Sequence, residues 1–235
     1  MRRRILIDSR FCGPPASGNG GYVCGRVAEF IAGPAEVTLR RPPPLDTPLM
    51  LESTGHNVRL FDEIGTIADA HPSEVKVKGP CRPSFREAES AMQHFSGFRH
   101  HIFPGCFVCG TDRPDGDGLR IFAGPVPGKK CVAAPWIPHP SLSAPNGFVK
   151  PEFIWAALDC PGYFAVNQDR PGYMLLGRLV AVITSEVKIG DKLVVIGWHI
   201  GSEGRIHYSG TELTTDSGII CGSAKATWVE VKPPL

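Results

Sequence analysis

The chain has 235 residues, enough for one large domain or two small ones with a sizeable core. Its composition, 42% hydrophobic and 20% charged residues, is typical of a soluble globular protein. A net charge of +2 is too small to indicate nucleic acid as a partner, and no run of about 18 apolar residues predicts a membrane span.

The N-terminal residues and the cysteines indicate a reduced, cytoplasmic protein. Only a short apolar run, from Ile5 to Ile7, follows the first arginines before Asp8, so the segment lacks the apolar core of a secretory signal. Without such a signal, an even number of cysteines favours reduced thiols that pack as small apolar groups over a disulfide framework. The eight cysteines are Cys12, Cys24, Cys81, Cys106, Cys109, Cys131, Cys160 and Cys221.

The first half of the chain predicts one helix followed by strands. Asn19 is a typical N-cap, apolar side chains from Val23 to Ile31 recur at helical spacing, and Gly33-Pro34 ends the run. Small residues on this helix predict that it lies close against a sheet. Strand-like runs follow at residues 36–41, 49–53, 57–62 and 65–70.

The second half repeats this order of elements. Residues 119–137 predict one or two strands, and residues 151–159 predict a helix that begins at Pro151, whose missing N–H is tolerated in a first turn. Pro161 must end or kink this helix. Strand-like runs joined by glycine-containing hairpin turns follow this second helix at residues 175–188, 192–200, 205–214 and 219–231.

Between the two halves, polar residues with a weak helical stretch at 85–94 predict a connector.

A helix followed by four antiparallel strands, present twice, resembles the double hotdog fold of acyl-CoA thioesterases. The resemblance is carried by Asn19-Gly-Gly-Tyr22 at the start of the first helix, and by the second helix with its four-strand tail. Thioesterase-like proteins of this type often open the first helix with His-Gly-Gly, and here Asn19 takes the place of the histidine.

The resemblance implies an α+β fold of two β-α-β-β-β-β units, whose antiparallel sheets each wrap around one long helix. It divides the chain into an N-terminal hotdog half at residues 1–78, a connector at residues 79–117 that holds a Cys-x-x-Cys loop, and a C-terminal hotdog half at residues 118–235. Because this fold carries several activities, the function must be argued from the site.

The turn that opens the first helix predicts a site for a thioester carbonyl. Gly20 and Gly21 offer first-turn amides, which have no partner within the helix and lie at the positive end of its dipole. Asn19 would add a side-chain donor, and Tyr22 follows in the same turn as a substrate-binding candidate. The alternative is that Asn-Gly-Gly is only an N-cap and a tight turn.

Asp159 is the predicted general base. It lies near the end of an apolar helix, where a negative charge is unfavourable, and apolar neighbours such as Trp155 would raise its pKa. It would instead serve as a cap if Pro161 begins a second short helix. Glu152 and Trp155, which share a helix face with Asp159, complete the predicted substrate-binding set.

The segment from Cys106 to Gly110, Cys-Phe-Val-Cys-Gly, has the spacing of a zinc knuckle. Tetrahedral zinc needs four ligands, and His100, His101 and Cys81 lie in the same connector, but no second Cys-x-x-Cys exists. Thiols that pack in the core or line the ligand pocket explain this loop without a metal. The sequence therefore predicts no metal and no cofactor.

Together these features predict hydrolysis of an acyl thioester, acyl-CoA in particular, at a composite site between the halves. Asp159 would activate water while Asn19 and Gly21 hold the carbonyl. The alternative is a non-catalytic protein that binds an acyl group or another small ligand on the same scaffold. A zinc-stabilised interaction protein is a third reading. The expected partners are acyl-CoA or a related thioester and a second copy of the chain in a homodimer, with no nucleic acid and no membrane.

Overall fold

Eleven strands form one antiparallel sheet in the computed structural model, which describes residues 1–168 and 172–232. The α-helices of these residues are α1 (Gly20–Ala28), α2 (Phe85–Met92), α3 (Pro151–Ala157) and α4 (Cys160–Asn167). None of them is long and apolar enough to cross a membrane. The strands are β1 (Arg2–Leu6), β2 (Ala35–Leu39), β3 (Pro48–Thr54), β4 (Asn57–Phe61), β5 (Thr66–Pro72), β6 (Gly124–Pro125), β7 (Val132–Trp136), β8 (Met174–Ile183), β9 (Leu193–Glu203), β10 (Ile206–Thr215) and β11 (Ile220–Glu230).

The strand order is the same on the two sides of a central seam. From one edge the sheet runs β1-β3-β4-β5-β2, and it continues as β8-β11-β10-β9-β7-β6. At the seam β2 and β8 pair antiparallel, with Ala35 opposite Ala181 and Thr38 opposite Arg178. On the first side β1 precedes α1 and four strands follow it. On the second side β7, with the short edge strand β6 before it, precedes α3 and α4, and again four strands follow.

The strands and turns of the second half confirm the sequence prediction. Four long strands, β8 to β11, overlap the four predicted runs, with ends that differ by one to five residues. The turn between β9 and β10 holds Gly204 at φ +58°, and the turn between β10 and β11 holds Gly218 at φ +85°. Both glycines adopt the left-handed region, where any other residue would strain the backbone, so the hairpin signals in the sequence have a direct structural cause.

Helix α1 packs closely against α3 through two glycines, whereas the sequence predicts that its small residues face a sheet. Gly21 and Gly25 are four residues apart and therefore share one helix face. A Cβ at Gly25 would lie 2.6 Å from the Cα of Glu152 and 2.8 Å from the Cβ of Trp155, so no side chain fits there. This close approach brings the start of α1 next to the end of α3.

The predicted helix over residues 151–159 is broken into two. Helix α3 ends at Ala157, the chain turns at Leu158 and Asp159, and α4 begins at Cys160. Pro161 lies in the first turn of α4, where it has no backbone N–H to continue the ladder of α3. The prediction that Pro161 ends or kinks the helix is confirmed, and the break leaves Asp159 in a turn between two buried helices.

Helix α2 of the connector packs on the face of the sheet that lies away from the main core. Ser84 and Glu87 form a capping box at the start of α2, with the Glu87 carboxylate accepting a bond of 2.7 Å from the Ser84 backbone N–H. Buried Ala88 and Ala91 of α2 cover a second, smaller core that includes Trp198 of β9. The weak helical signal in the sequence is therefore a real helix, stabilised by its cap and by packing.

Two cysteines are paired, so the prediction that all thiols are reduced is wrong for them. A disulfide joins Cys81 in the connector to Cys131 just before β7. The pair is 50 residues apart in the chain, and it meets only because α2 packs along β7. The six free cysteines are Cys12, Cys24, Cys106, Cys109, Cys160 and Cys221.

Candidate active site

A cavity of about 630 Å³ lies where the start of α1, the connector and the start of α4 meet strands β8 and β11. Its walls are mainly apolar, with Phe103, Phe164, Leu176 and Trp228 among the lining residues. A mostly apolar cavity of this size with a few convergent polar groups is typical of a small-molecule site. Six lining residues come from the start of α1, the Cys-x-x-Cys loop and the start of α4, and we call them the cavity floor. They are Asn19, Gly20, Cys106, Cys109, Asp159 and Cys160.

Asp159 is a buried carboxylate held by the start of α1. Only 2% of its surface is exposed. Its Oδ2 accepts a hydrogen bond of 2.8 Å from the Gly21 backbone N–H and one of 3.1 Å from Asn19 Nδ2. Its Oδ1 has no hydrogen-bond partner among the described residues. Although Asp159 stands at the N-cap position of α4, its side chain makes no capping bond there and reaches across to α1 instead.

The environment of Asp159 favours its protonated form. Burial raises the pKa of its carboxyl from the ordinary value of 3.8 to about 7, and the nearby Cys106 acts in the same direction. The hydrogen bonds from Gly21 and Asn19 act in the opposite direction, because they stabilise the charged carboxylate. The sequence prediction of a raised pKa therefore has burial as its main cause.

Asn19 caps α1 and contacts Asp159 with the same side chain. Its Oδ1 accepts a bond of 2.9 Å from the Tyr22 backbone N–H, which confirms the predicted N-cap. The cap leaves its Nδ2 directed at Asp159. The N-cap reading of Asn-Gly-Gly is thus confirmed, and the residue that begins the helix also positions a buried carboxylate.

The first-turn amides of α1 are used differently from the sequence prediction. The Gly21 N–H donates to Asp159, and the Tyr22 N–H donates to Asn19. No hydrogen bond among the described residues uses the Gly20 N–H, and Gly20 lines the cavity. Among the described residues, the first-turn amide that has no protein partner is therefore that of Gly20, a residue of the cavity lining, rather than that of Gly21.

Four predicted site residues are absent from the cavity lining among the described residues: Gly21, which contacts Asp159, and three that lie away from it. Tyr22 is buried and stacks on Phe11, with ring centroids 4.2 Å apart. Trp155 and Glu152 lie against Gly25 at the contact between α1 and α3. None of the three is among the residues that line the cavity in the described part of the chain. The structure thus gathers Asn19, Gly20, Gly21 and Asp159, and leaves Tyr22 and Trp155 in the core and Glu152 half-buried beside them.

Three thiols gather beside Asp159, one of which the sequence analysis missed. The Sγ atoms of Cys106, Cys109 and Cys160 all lie within 4.8 Å of one another, and all three residues are buried. Hydrogen bonds from the thiols of Cys109 and Cys160 hold the pKa of Cys106 well below its usual range. Cys160 is 54 residues beyond Cys106, so only its place beside Asp159 could have drawn attention to it.

The other residues considered as partners of the Cys-x-x-Cys lie elsewhere. His101 donates from Nε2 to the Cys109 carbonyl at 3.0 Å and accepts the Phe103 N–H on Nδ1 at 3.0 Å, so both ring nitrogens contact backbone. His100 is exposed, and Cys81 is in the disulfide. The thiol cluster therefore consists of Cys106, Cys109 and Cys160 alone among these residues.

The strand order, the large antiparallel sheet and the few helices define an α+β protein of the hotdog fold. No protein-family model and no curated protein matches the sequence. Solved structures of this fold match nearly the whole chain, and thioesterase II and TesB-like proteins are among them. The resemblance inferred from the sequence is confirmed, and the hotdog α+β fold with it.

Three of these structures show the extent of the similarity. A proposed thioesterase II from Thermobifida fusca YX is 14% identical with a TM-score of 0.65, over 99% of this chain and 94% of that one. An acyl-CoA thioesterase II, TesB2, from Mycobacterium marinum is 11% identical with a TM-score of 0.58, over 99% and 93%. A conserved protein of unknown function with a hotdog fold from Alicyclobacillus acidocaldarius is 10% identical with a TM-score of 0.58, over 99% and 94%. At such identities the similarity is one of fold.

Proposed function

We propose that this protein hydrolyses an acyl thioester in the cavity beside Asp159. The observation that carries the proposal is a buried carboxylate whose Oδ1 has no partner among the described residues, in a mostly apolar cavity at the start of a helix. A carboxylate that activates water and an apolar pocket for the acyl chain are two of the requirements of this reaction. The thioesterase names of the structural neighbours support the same class of activity.

The proposed reaction assigns a role to each group at the cavity floor. Asp159 takes a proton from a water molecule while the water oxygen bonds to the thioester carbon. The carbonyl oxygen gains negative charge, and the Gly20 amide, at the positive end of α1, stabilises it. The carbon–sulfur bond then breaks, and the leaving thiolate takes the proton from Asp159. The products are a carboxylic acid and a free thiol.

Asn19 and Gly21 act as positioning residues in this scheme. Both donate to Oδ2 of Asp159, so they fix the carboxylate while its buried Oδ1 has no hydrogen-bond partner among the described residues. This changes the role given to Gly21 by the sequence, from holding the carbonyl to holding the base. The reason is that the close contact of α1 with α3 places the Asp159 carboxylate next to the Gly21 amide, where a substrate carbonyl would otherwise have to bind.

Acyl-CoA is the proposed substrate because the cavity combines an apolar wall with basic lining residues. Arg40, Arg41 and Lys232 line it together with the apolar residues. Arg40 is partly neutralised by Asp69, with Nε and Oδ2 2.7 Å apart, and Arg41 by Asp62. Phosphate groups of a coenzyme would find positive charge near these side chains, while the acyl chain enters the apolar part.

We further propose that the chain is two hotdog units fused into a pseudo-dimer. The repeated strand order across the β2–β8 seam supports two units, at residues 1–78 and 118–235, with the connector at 79–117. The site is then composite, since Asn19, Gly20 and Gly21 come from the first unit and Asp159 from the second. A homodimer of such chains and a cytoplasmic location remain predictions.

The decisive experiment measures free thiol released from a panel of acyl-CoAs of increasing chain length. We expect Asp159→Asn to lower kcat by about 10²-fold to 10⁴-fold, the range that general-base catalysis contributes. Glu212→Gln is the matched control, because Glu212 is equally buried, at 1% exposure, and lies outside the cavity lining. Undiminished turnover by Asp159→Asn would contradict the role of Asp159 as base.

The same panel separates hydrolysis from binding alone. A wild-type protein that is thermally stabilised by acyl-CoA but releases no thiol at any chain length would be a non-catalytic binding protein. Product analysis by mass spectrometry distinguishes the two outcomes, because only hydrolysis yields the free carboxylic acid.

A further inference from the structure

The three thiols beside Asp159 are spaced as ligands of one metal ion. Zinc–sulfur bonds are about 2.3 Å, and at the tetrahedral angle two ligand sulfurs are then about 3.8 Å apart. The Sγ atoms of Cys106 and Cys160 are 3.8 Å apart, and the third sulfur, of Cys109, lies within 4.8 Å of both. These separations fit three corners of a tetrahedral zinc site.

The backbone around Cys106 and Cys109 forms a closed turn that brings the two cysteines together. The Gly110 N–H donates to the Cys106 carbonyl at 2.8 Å, which closes the turn. A Cβ on Gly110 would lie 2.5 Å from the carbonyl oxygen of Pro104, so this position requires glycine. The thiolate is the form of cysteine that binds metal.

We propose that Cys106, Cys109 and Cys160 bind one zinc ion, with a fourth ligand supplied from the cavity that all three residues line. Thiolates are soft ligands, and a tetrahedral set of them selects zinc over hard cations such as magnesium or calcium. Binding releases the proton of each ligand thiol to solvent. A disulfide would join only two of these three neighbouring thiols and leave the third unused. A metal ion can bind all three, so the cluster favours a shared metal.

Asn19 links this metal site to the cavity floor. Its Nδ2 lies 3.9 Å from the sulfurs of both Cys106 and Cys160 while it donates to Asp159. Donors that contact ligand sulfurs orient them and adjust the properties of the metal. The proposal concerns a metal site and does not depend on hydrolysis, since metal content is measured without any substrate.

Metal analysis of the full chain, purified under reducing conditions from zinc-supplemented cells, tests the proposal. We expect about one zinc per chain in the wild type and near none in Cys109→Ser and Cys160→Ser, which each remove one ligand. Cys221→Ser is the matched control, because Cys221 is a buried free thiol outside the cluster, and this variant should retain the zinc. Zinc-free wild type with reduced thiols, or full zinc in Cys160→Ser, would overturn the proposal.

A second measurement covers the case in which a serine variant fails to fold. Cobalt(II) added to the metal-free wild type should give the sulfur-to-cobalt charge-transfer absorption and the visible bands of a tetrahedral thiolate site. Bound zinc should also protect Cys106, Cys109 and Cys160 from alkylation in the folded protein, as mapped by mass spectrometry. Cobalt binding without charge-transfer absorption, or equal alkylation with and without zinc, would count against the site.

Discussion

At the scale of single residues, Asp159 combines a cost in stability with a favourable position for chemistry. A buried carboxylate oxygen without a hydrogen-bond partner costs free energy, because it has lost its water. Two donors from α1 compensate for the other oxygen only. A fold that keeps such a group at the floor of a cavity is better explained by function than by stability.

Gly21 provides a sharp test of how closely α1 and α3 approach. A Cβ there would lie 2.5 Å from the Cβ of Asp159 and 2.8 Å from the Trp155 carbonyl oxygen, so Gly21→Ala must push the helices apart. We expect the free energy of unfolding to fall by about 1–3 kcal/mol, as for other overpacked positions. Urea denaturation followed by tryptophan fluorescence measures this change.

Gly20→Ala is the control for that substitution. Its added Cβ would meet the end of the Leu176 side chain at 2.8 Å, which can rotate away, and the Leu176 Cβ at 3.0 Å, which needs only a small shift. The loss of stability should therefore be clearly smaller than for Gly21→Ala. Equal losses for the two variants would mean that helix propensity, rather than the contact with α3, determines the need for glycine.

The sequence revealed the residues whose roles are local and missed those whose roles depend on packing. Asn19 as an N-cap follows from the next three residues, so it could be predicted. Tyr22 and Trp155 could not be placed, because the glycine contact rotates α1 and α3 so that both side chains enter the core. Cys160 lies next to Cys106 only because of the tertiary fold, and the spacing of the two residues in the sequence does not indicate that they are close.

At the scale of elements, α2 shows how a short helix is held by its first turn. Its Glu87 bonds the Ser84 backbone and also pairs with Lys129, with Nζ and Oε1 2.9 Å apart. The bond from Lys129 is the main reason why the pKa of Glu87 falls from the ordinary 4.5 to about 2, and the Ser84 bonds act in the same direction. A charged Glu87 therefore favours the folded state.

This lowered pKa predicts a pH dependence with a definite sign. The folded state binds the proton of Glu87 less tightly than the unfolded state, so its contribution to stability is present above about pH 4.5 and is lost as the pH falls toward 2. Glu87→Gln should destabilise the protein at pH 6, and the difference from wild type should shrink at pH 3. Urea denaturation at both pH values measures it.

Glu89→Gln is the matched control, because Glu89 is exposed on the same helix. It should change stability little at either pH, as expected for a surface substitution away from a cap. A difference between wild type and Glu87→Gln that is the same at pH 6 and pH 3 would contradict the charge-based explanation and leave only the loss of packing.

At the scale of the whole molecule, the order of elements was the most reliable signal in the sequence. Helix followed by four strands predicted the hotdog α+β fold, because strand periodicity and hairpin turns are local features. The sequence held no direct sign that β2 pairs with β8 in one continuous sheet. It also gave no sign of the bond between Cys81 and Cys131, which fastens the connector near β7.

The continuous sheet predicts that the two sides of the seam unfold together. Leu179 of β8 is fully buried and lies opposite Val37 of β2, so Leu179→Ala removes packing at the seam itself. We expect a loss of about 2–5 kcal/mol, as for other buried leucines. Because the seam joins one sheet and one main core, amide hydrogen exchange should accelerate by similar factors in β3–β4 and in β9–β10.

Leu60→Ala makes the converse test from the other side of the seam. Leu60 of β4 is also fully buried, and its loss should accelerate exchange in β9–β10 as much as in β3–β4 if the molecule unfolds as one unit. If each substitution instead accelerates exchange only on its own side, the two sides are separate cooperative units. In that case the contact of Asn19 and Gly21 with Asp159 would form by the docking of two pre-folded halves, and the site would open when they separate.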